Sequence, residues 1–450
     1  MPPALTDERL VTVVLCGDDG AVLGQLPAPF AVAPRWWPEV DPVVAAVRER
    51  HGIVVTVLRL LTTDAEHAGG EVAYLAQVRS GPPTPTVPPP GPVAAALAGD
   101  ATNRLWWAEP GGLDHLPDWV DAALRAHGRR RTGVLRQRKT WNLSVVVTAP
   151  TDQGEVWFKA TPPFLADEGS VVRRVAAVDP DLVPTVLAHD PGRRAILMEH
   201  VPGQDEFGLG DGAVAEAMVR RWVGVQAALV DDIDHALAVG ARDLRRAPLL
   251  AEAQDLLGRN EVRVALSARE LAAVESLVDE LPTRLDEIAA CGLPDTVLHG
   301  DMHPGNWRRD GDRLTLLDWG DVGVGNPMVD QRAFVERLAD PELRERISAL
   351  WTGLWAEQVP DSDPARAAYL LGPVAQLAAA ATYQRFLDHI EVTERVYHAL
   401  DPAASFAVLL ISATEGAVVM ARAQRDLAPF ESVAATLMAS ARDLDADAAS

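Results

Sequence analysis

The spacing of apolar and polar residues changes along the chain, and each change predicts a different kind of element. Near the front, apolar runs alternate with short polar turns. Leu10–Cys16 is a continuous apolar stretch, Gly17–Asp18–Asp19–Gly20 supplies a turn, and Ala21–Leu26 returns as a second strand. Asp41 is placed to cap a helix from Pro42 to about His51, which Gly52 stops. Ile53–Leu61 and Glu71–Val78 read as further strands, so residues 1–92 form a small α/β unit. It ends in SGPPTPTVPPPGP, Ser80–Pro92, where seven prolines in thirteen residues predict a semi-rigid linker and a domain boundary.

Residues 93–132 carry helical patches, the best of them Leu116–His127, and a Trp106–Trp107 pair, and they read as an intermediate linking segment. From 133 to 202 the pattern is β-rich, with strands at Val145–Thr148, Val156–Lys159 and Ala195–Glu199 and a helix near Asp167–Val178. Residues 203–450 are rich in Ala and Leu and mostly helical, apart from a polar stretch around 297–330. The class expected is α+β: a β-rich lobe, then a helical lobe, with the α/β unit in front.

Composition narrows the partners. The chain of 450 residues is 48% hydrophobic and 23% charged, as in globular proteins. It has no apolar run of about 18 residues, so no transmembrane helix is expected, and MPPALTDERL lacks the regions of a signal peptide. Only Cys16 and Cys291 occur, which fits a reducing cytoplasm and disfavours a disulfide framework. The formal charge of −23 repels nucleic acid and anionic membranes; it suits a cationic small molecule, and an acidic surface also serves solubility alone.

Against that background, VLHGDMHPGNW (Val297–Trp307) gathers the polar residues that chemistry needs. A hairpin through Asp310–Gly311–Asp312 should fold Asp318, in LTLLDWGDVGVGNPMVD, back toward Asn306, with Asp301 on the same loop. Such oxygen ligands suit Mg²⁺, and the lack of cysteine or closely spaced histidine disfavours zinc. Phosphoryl transfer also needs a cation on the phosphates. Lys159, ending the strand in GEVWFKATPPF, can supply it, with Glu168 to hold it and the loop Thr140–Ser144 above, where Ser144 offers a hydroxyl. No Walker motif is present.

HGDMHPGN followed by LLDWGDVGVGNPMVD resembles the aminoglycoside phosphotransferase and choline kinase family, whose fold is protein-kinase-like. WFKA and ILMEHVPG add the strand lysine and the interlobe hinge, and the resemblance runs from about Gly133 to Arg425. It implies Asp301 as catalytic base, Asn306 and Asp318 on Mg²⁺, and Lys159 with Glu168 on the ATP phosphates. Backbone groups around Glu199–Val201 would bind adenine, while Asp330 and His299 would brace the catalytic loop. His303 and Trp307, with Gln384, Asp388 and Glu391 on one helix face, are candidate contacts to the acceptor.

The arrangement of cap, linker and two lobes resembles actinobacterial maltokinases and glucosamine kinases, so an amino sugar such as glucosamine is the expected acceptor. An aminoglycoside, maltose or an amino alcohol stays open, as does a nucleotide-binding pseudokinase. AAVRERHGIVV also resembles the second half of a Nudix box, but only Glu49, Gly52 and Ile53 fit it, so the N-terminal unit is read as a non-hydrolytic cap.

Overall fold

The front apolar runs become strands β1 (Arg9–Cys16), β2 (Val22–Gln25) and β3 (Phe30–Val32), followed by helix α1 (Asp41–His51), β4 (Val54–Thr63) and β5 (Glu71–Ser80). They belong to a computed structural model that describes residues 8–65, 68–266 and 268–391. The sheet runs β2-β1-β5-β4, with β1 parallel to β5 and the other pairs antiparallel. Val43 and Val47 of α1 pack with Val11, Val13 and Tyr74 on one face. Gly52 stops α1 at φ 70°, its amide bonded to the Arg48 carbonyl at 2.9 Å. Asp41 makes no side-chain cap there; its carboxylate is drawn instead to Arg138 at 2.7 Å.

The prolines do not end this unit. Val87 pairs with Gln25 through two backbone bonds of 2.8 Å, which lays the stretch along β2. Helix α2 (Gly91–Leu97) then covers the second face, where Val93 packs with Val14, Leu58 and Leu75. Leaving that apolar face in water would cost more than the turn back, so the unit extends past the boundary expected at residue 92.

The next helix, α3 (Leu116–Ala126), is likewise structural rather than connecting. Leu116, Val120 and Leu124 bury against Val145, Val147, Val156 and Phe158. Those residues lie in an antiparallel sheet of β6 (Arg136–Thr140), β7 (Val145–Thr151), β8 (Gly154–Ala160), β9 (Val186–Asp190) and β10 (Ala195–Glu199), ordered β6-β7-β8-β10-β9. Helix α4 (Glu168–Ala176) packs beside it.

The cap joins this lobe at β6. The Val40 amide donates to the Arg138 carbonyl and the Thr140 amide to the Pro38 carbonyl, each at 3.0 Å. Gln137 reaches across to β4, accepting from the Val57 amide at 2.9 Å and donating to the Val57 carbonyl at 2.7 Å.

The helical lobe holds β11 (Gln204–Asp205), α5 (Gly212–Ala228), α6 (Ile233–Ala238), β12 (Arg242–Asp243), α7 (Arg246–Gly258), α8 (Asn260–Ala265) and α9 (Ala268–Ala290). After these come β13 (Thr296–Leu298), the hairpin β14 (Trp307–Asp310) and β15 (Arg313–Leu316), and β16 (Gly323–Gly325). Helices α10 (Met328–Glu336), α11 (Pro341–Gln358) and α12 (Pro364–His389) follow. Its core includes the fully buried Trp222, Trp307, Trp319, Trp351 and Trp355. Among the described residues, no helix is long and apolar enough to cross a membrane. The expected β-rich lobe, helical lobe and preceding α/β unit are all present; the part of the helical lobe expected beyond residue 391 lies outside the described residues.

Replacing Gln137 with Ala removes both bonds to Val57 and should cost about 1–2 kcal/mol, read as a lower urea midpoint. An unchanged midpoint would mean that the amide adds nothing to cap docking.

Candidate active site

The loop expected to be catalytic follows β13, and its path depends on one glycine and one buried acid. Gly300 has φ 84°, and a Cβ there would lie 1.9 Å from the Asp321 carbonyl oxygen. Asp330, fully buried on α10, accepts from the His299 amide at 2.8 Å and the Gly300 amide at 3.2 Å. It accepts also from the Trp222 indole at 3.0 Å and the Gln226 amide at 3.1 Å. Burial pushes its pKa up, against the pull of these donors. His299, also fully buried, has its Nε2 2.9 Å from the Leu317 carbonyl and its ring 4.8 Å from that of Trp319.

Asp301 comes next on the loop. Asn306 Nδ2 donates to its carbonyl at 2.8 Å and to its Oδ2 at 3.1 Å. His303 Nδ1 accepts the Gly305 amide at 3.0 Å, so Nε2 carries the hydrogen and faces Asp301 Oδ2 at 3.4 Å. Burial works to raise the Asp301 pKa, but His303, His299 and Asn306 outweigh it and leave it at about 2. Asp301 is therefore ionised throughout the neutral range.

Asp318 follows the β14–β15 hairpin in the left-handed region, at φ 68°, with its side chain 56% exposed. Lys159 Nζ lies 2.6 Å from Asp318 Oδ1, 3.0 Å from Glu168 Oε1 and 2.9 Å from Oε2. Burial lowers the Lys159 pKa, the two carboxylates more than reverse that, and the ammonium is retained. Lys159 in turn is the main reason the Asp318 pKa is depressed. The Leu317 amide bonds to the Asn306 carbonyl at 2.9 Å, tying Asp318 to the loop. Since Asn306 Nδ2 is committed to Asp301, its Oδ1 points away from that carboxylate. Asn306 Oδ1 and the Asp318 carboxylate are hard oxygen donors and fit Mg²⁺.

Two cavities meet here. One, of about 540 Å³, is lined by Lys159, Glu168, Asp318, Ser144, Glu199 and Val201. Ser144 Oγ accepts the Trp141 indole N–H at 2.9 Å. The Glu199 amide is spent on the Thr185 carbonyl at 3.0 Å, and its carboxylate pairs with Arg129. The second cavity, of about 480 Å³, is lined by Asp301, Asp321, Arg242, Arg385, Thr382 and Trp36, and Trp141 borders both.

Four expected acceptor contacts are corrected. Trp307 is fully buried in the helical core and presents no surface to a substrate. Asp388 is held by Arg259 at 2.8 and 3.0 Å, and Gln384 donates to Asp388 at 3.1 Å. Glu391 is buried under Arg104, at 2.7 and 2.9 Å, with Arg59 at 3.7 Å. Helical spacing predicts one face for the three, but α12 ends at His389, before Glu391, and arginines far away in sequence pair with the two carboxylates. Asp321 and Trp36 were missed. Asp321 sits in the same DWGD run as Asp318 and was findable there, whereas nothing near Trp36 in sequence links it to the loop.

Residues 95–370, more than half of the chain, match the family model described as phosphotransferase enzyme family. The chain belongs to that family. This phosphotransferase match begins before the expected Gly133, as the packing of α3 requires, and stops before Arg425. A second model, the C-terminal domain of LmrA/YxaF-like transcriptional regulators, matches residues 355–436, less than a fifth of the chain and mostly outside the described residues.

Comparison with curated proteins returns no match. Among solved structures, the phosphotransferase is similar to a macrolide 2'-phosphotransferase from Brachybacterium faecium, at 20% identity and TM-score 0.44, over 63% of this chain and 98% of that one. A choline kinase from Cryptosporidium parvum matches at 10% identity and TM-score 0.42, over 63% and 89%. The choline kinase LicA from Streptococcus pneumoniae matches at 13% and 0.44, over 65% and 99%. By its family the chain is a phosphotransferase.

Burial, with the charges of Asp301 and Asp318, lifts the Asp321 pKa to about 7. The unfolded value is about 3.9, so between roughly pH 4 and 7 the folded state holds the extra proton and stability falls as pH rises. In melts of the nucleotide-free protein at about pH 5 and pH 8, Asp321→Asn should remove part of that fall. The part is on the order of 1–2 kcal/mol, below the full linkage value because Asp321 is partly exposed. Parallel pH curves for parent and variant would refute the shift.

Proposed function

We propose that the protein transfers the γ-phosphoryl group of ATP to a hydroxyl of a small polar acceptor, an amino sugar such as glucosamine. The observation that carries this is the pair of adjoining cavities: Lys159 and Asp318 line one, Asp301 lines the other, and Trp141 borders both. ATP occupies the first, with adenine beside Val201 and the phosphates near Lys159. Glu168 holds that ammonium in place, so it need not be ordered when nucleotide arrives. Magnesium on Asn306 and Asp318 would neutralise charge on the phosphates.

The acceptor occupies the second cavity. Asp301, ionised and oriented by Asn306 and His303, accepts the hydroxyl proton as the oxygen attacks phosphorus. Asp321 takes the part first assigned to Gln384, Asp388 and Glu391. It is a half-buried carboxylate in this cavity, and burial lifts its pKa to about 7. An ammonium placed beside it would restore the charged form and gain a charge-assisted hydrogen bond. Two buried free cysteines suit a reducing compartment, and we place the reaction in the cytoplasm.

ATP with Mg²⁺ should raise the melting temperature of the parent and do so much less for Asp318→Ala. Asp301→Asn should keep the ATP-dependent shift while turnover, read as ADP release, drops by roughly 10²-fold or more. An Asp301→Asn enzyme with parental turnover would remove the base from the mechanism.

At fixed ATP, glucosamine should be preferred over glucose and N-acetylglucosamine by roughly tenfold or more in kcat/KM, and Asp321→Asn should level the three. Equal rates in the parent would refute recognition of the amine and leave the transfer reaction standing.

A further inference from the structure

The cavity that holds Asp301 is closed on one side by a residue of the N-terminal cap. Trp36 lies on the loop between β3 and α1, is 40% exposed, and lines the same space as Asp301, Asp321, Arg242 and Arg385. Its ring meets that of Trp141 edge to face, with centroids 6.2 Å apart and planes at 67°. We propose that the cap is part of the acceptor site, and that Trp36 with Trp141 forms an aromatic wall on which a saccharide ring lies. The proposal rests on the reading of this cavity as the acceptor site.

An exposed tryptophan normally costs solubility and, on a mobile loop, would have to be ordered by its ligand. This loop is fixed on both sides of the ring. Arg9, 1% exposed, donates to the Trp36 carbonyl at 2.8 Å and also to the Pro34 and Glu39 carbonyls. Trp37 is buried, its indole N–H on the Gly69 carbonyl and its own carbonyl accepting from Tyr74, both at 2.8 Å. Trp141 is held from its own side by Ser144 at 2.9 Å and packs partly against the cap core. The backbone beneath the two rings is thus set before any ligand binds, which removes most of the ordering cost.

The other walls decide what lies on the rings. Asp321 and Arg385, the latter also bonded to the Phe164 carbonyl, bring a carboxyl and a guanidinium to the same space, and Arg242 adds a guanidinium already paired with Glu252 at 2.5 Å. A space lined by both aromatic rings and charged groups fits a molecule that has an apolar face and a polar rim. A pyranose has a C–H face, which meets the negative π-face, and a rim of hydroxyls, which meets guanidinium and carboxylate. A quaternary ammonium could also sit on tryptophan, but it has no N–H to give the Asp321 carboxyl and no ring of hydroxyls for the polar lining. The volume of about 480 Å³ is ample for a sugar.

The test uses the full chain, with ADP release measured for glucosamine, glucose and maltose, and for choline and ethanolamine as acyclic probes. Trp36→Ala should raise KM for the reactive sugar by roughly three- to tenfold, leave KM for ATP and the melting temperature unchanged, and be largely rescued by Trp36→Phe. An unchanged sugar KM in Trp36→Ala would overturn the wall. Turnover of choline or ethanolamine but of no sugar would overturn the saccharide class, as would a protein that binds ATP and Mg²⁺ but turns over none of the probes. Failure to bind ATP and Mg²⁺ at all would instead strike the parent reading.

Discussion

A buried carboxylate with four donors around it sets the position of the chemistry. Asp330 lies in a core of tryptophan and aliphatic side chains, where an acid is expensive unless every lone pair is answered. The answers come from two catalytic-loop amides, a tryptophan and a glutamine. Because two of those donors are backbone groups next to Asp301, the electrostatics of the core are converted into the path of a loop at its edge. The loop then has little freedom of its own, and Gly300 is required because that path runs against the Asp321 backbone. A site placed this way is as rigid as the core beneath it.

The second constraint crosses the lobes. Lys159 belongs to the β-rich lobe and Asp318 to the helical one, and Glu168 sits between them, touching both the ammonium and the Trp319 amide. Each carboxylate lowers the cost of burying the cation, and the cation lowers the cost of bringing the carboxylates close. The arrangement is a balance in which no member is comfortable alone. It sets one ammonium between two carboxylates at the cleft, a cluster that a phosphate chain carrying a divalent cation would complete.

Much of this was legible in the sequence because the signals are local. The HGDMHPGN loop, the LLDWGD strand end and the lysine strand each carry their chemistry within a few residues, and the structure brings Asp301 to Asn306 and Lys159 to Glu168 and Asp318. What failed depended on distant partners. Asp388 closes α12 and Glu391 falls just past its end, off the helix face expected, and Arg259 and Arg104, unrelated in sequence, hold the two. Trp307 looked like a site residue beside Asn306 until strand alternation turned it inward. The proline-rich stretch reads as a boundary by composition, yet an apolar sheet face needed covering and α2 lay just beyond it. Trp36 carries no local signal, since only tertiary packing puts it near Asp301.

The Gln137 contact to Val57 has a meaning beyond cap docking. β6 ends one sheet and β4 ends the other, and each alone would offer a row of unpaired amides and carbonyls to any passing strand. The β4 edge meets β6 through the Gln137 side-chain amide at Val57, while backbone bonds to Pro38 and Val40, just before α1, close the β6 edge at Arg138 and Thr140. A catalytic core trimmed of its front unit would keep its chemistry-bearing loop but bare the β6 edge, so the cap also guards the enzyme against self-association through its own sheet.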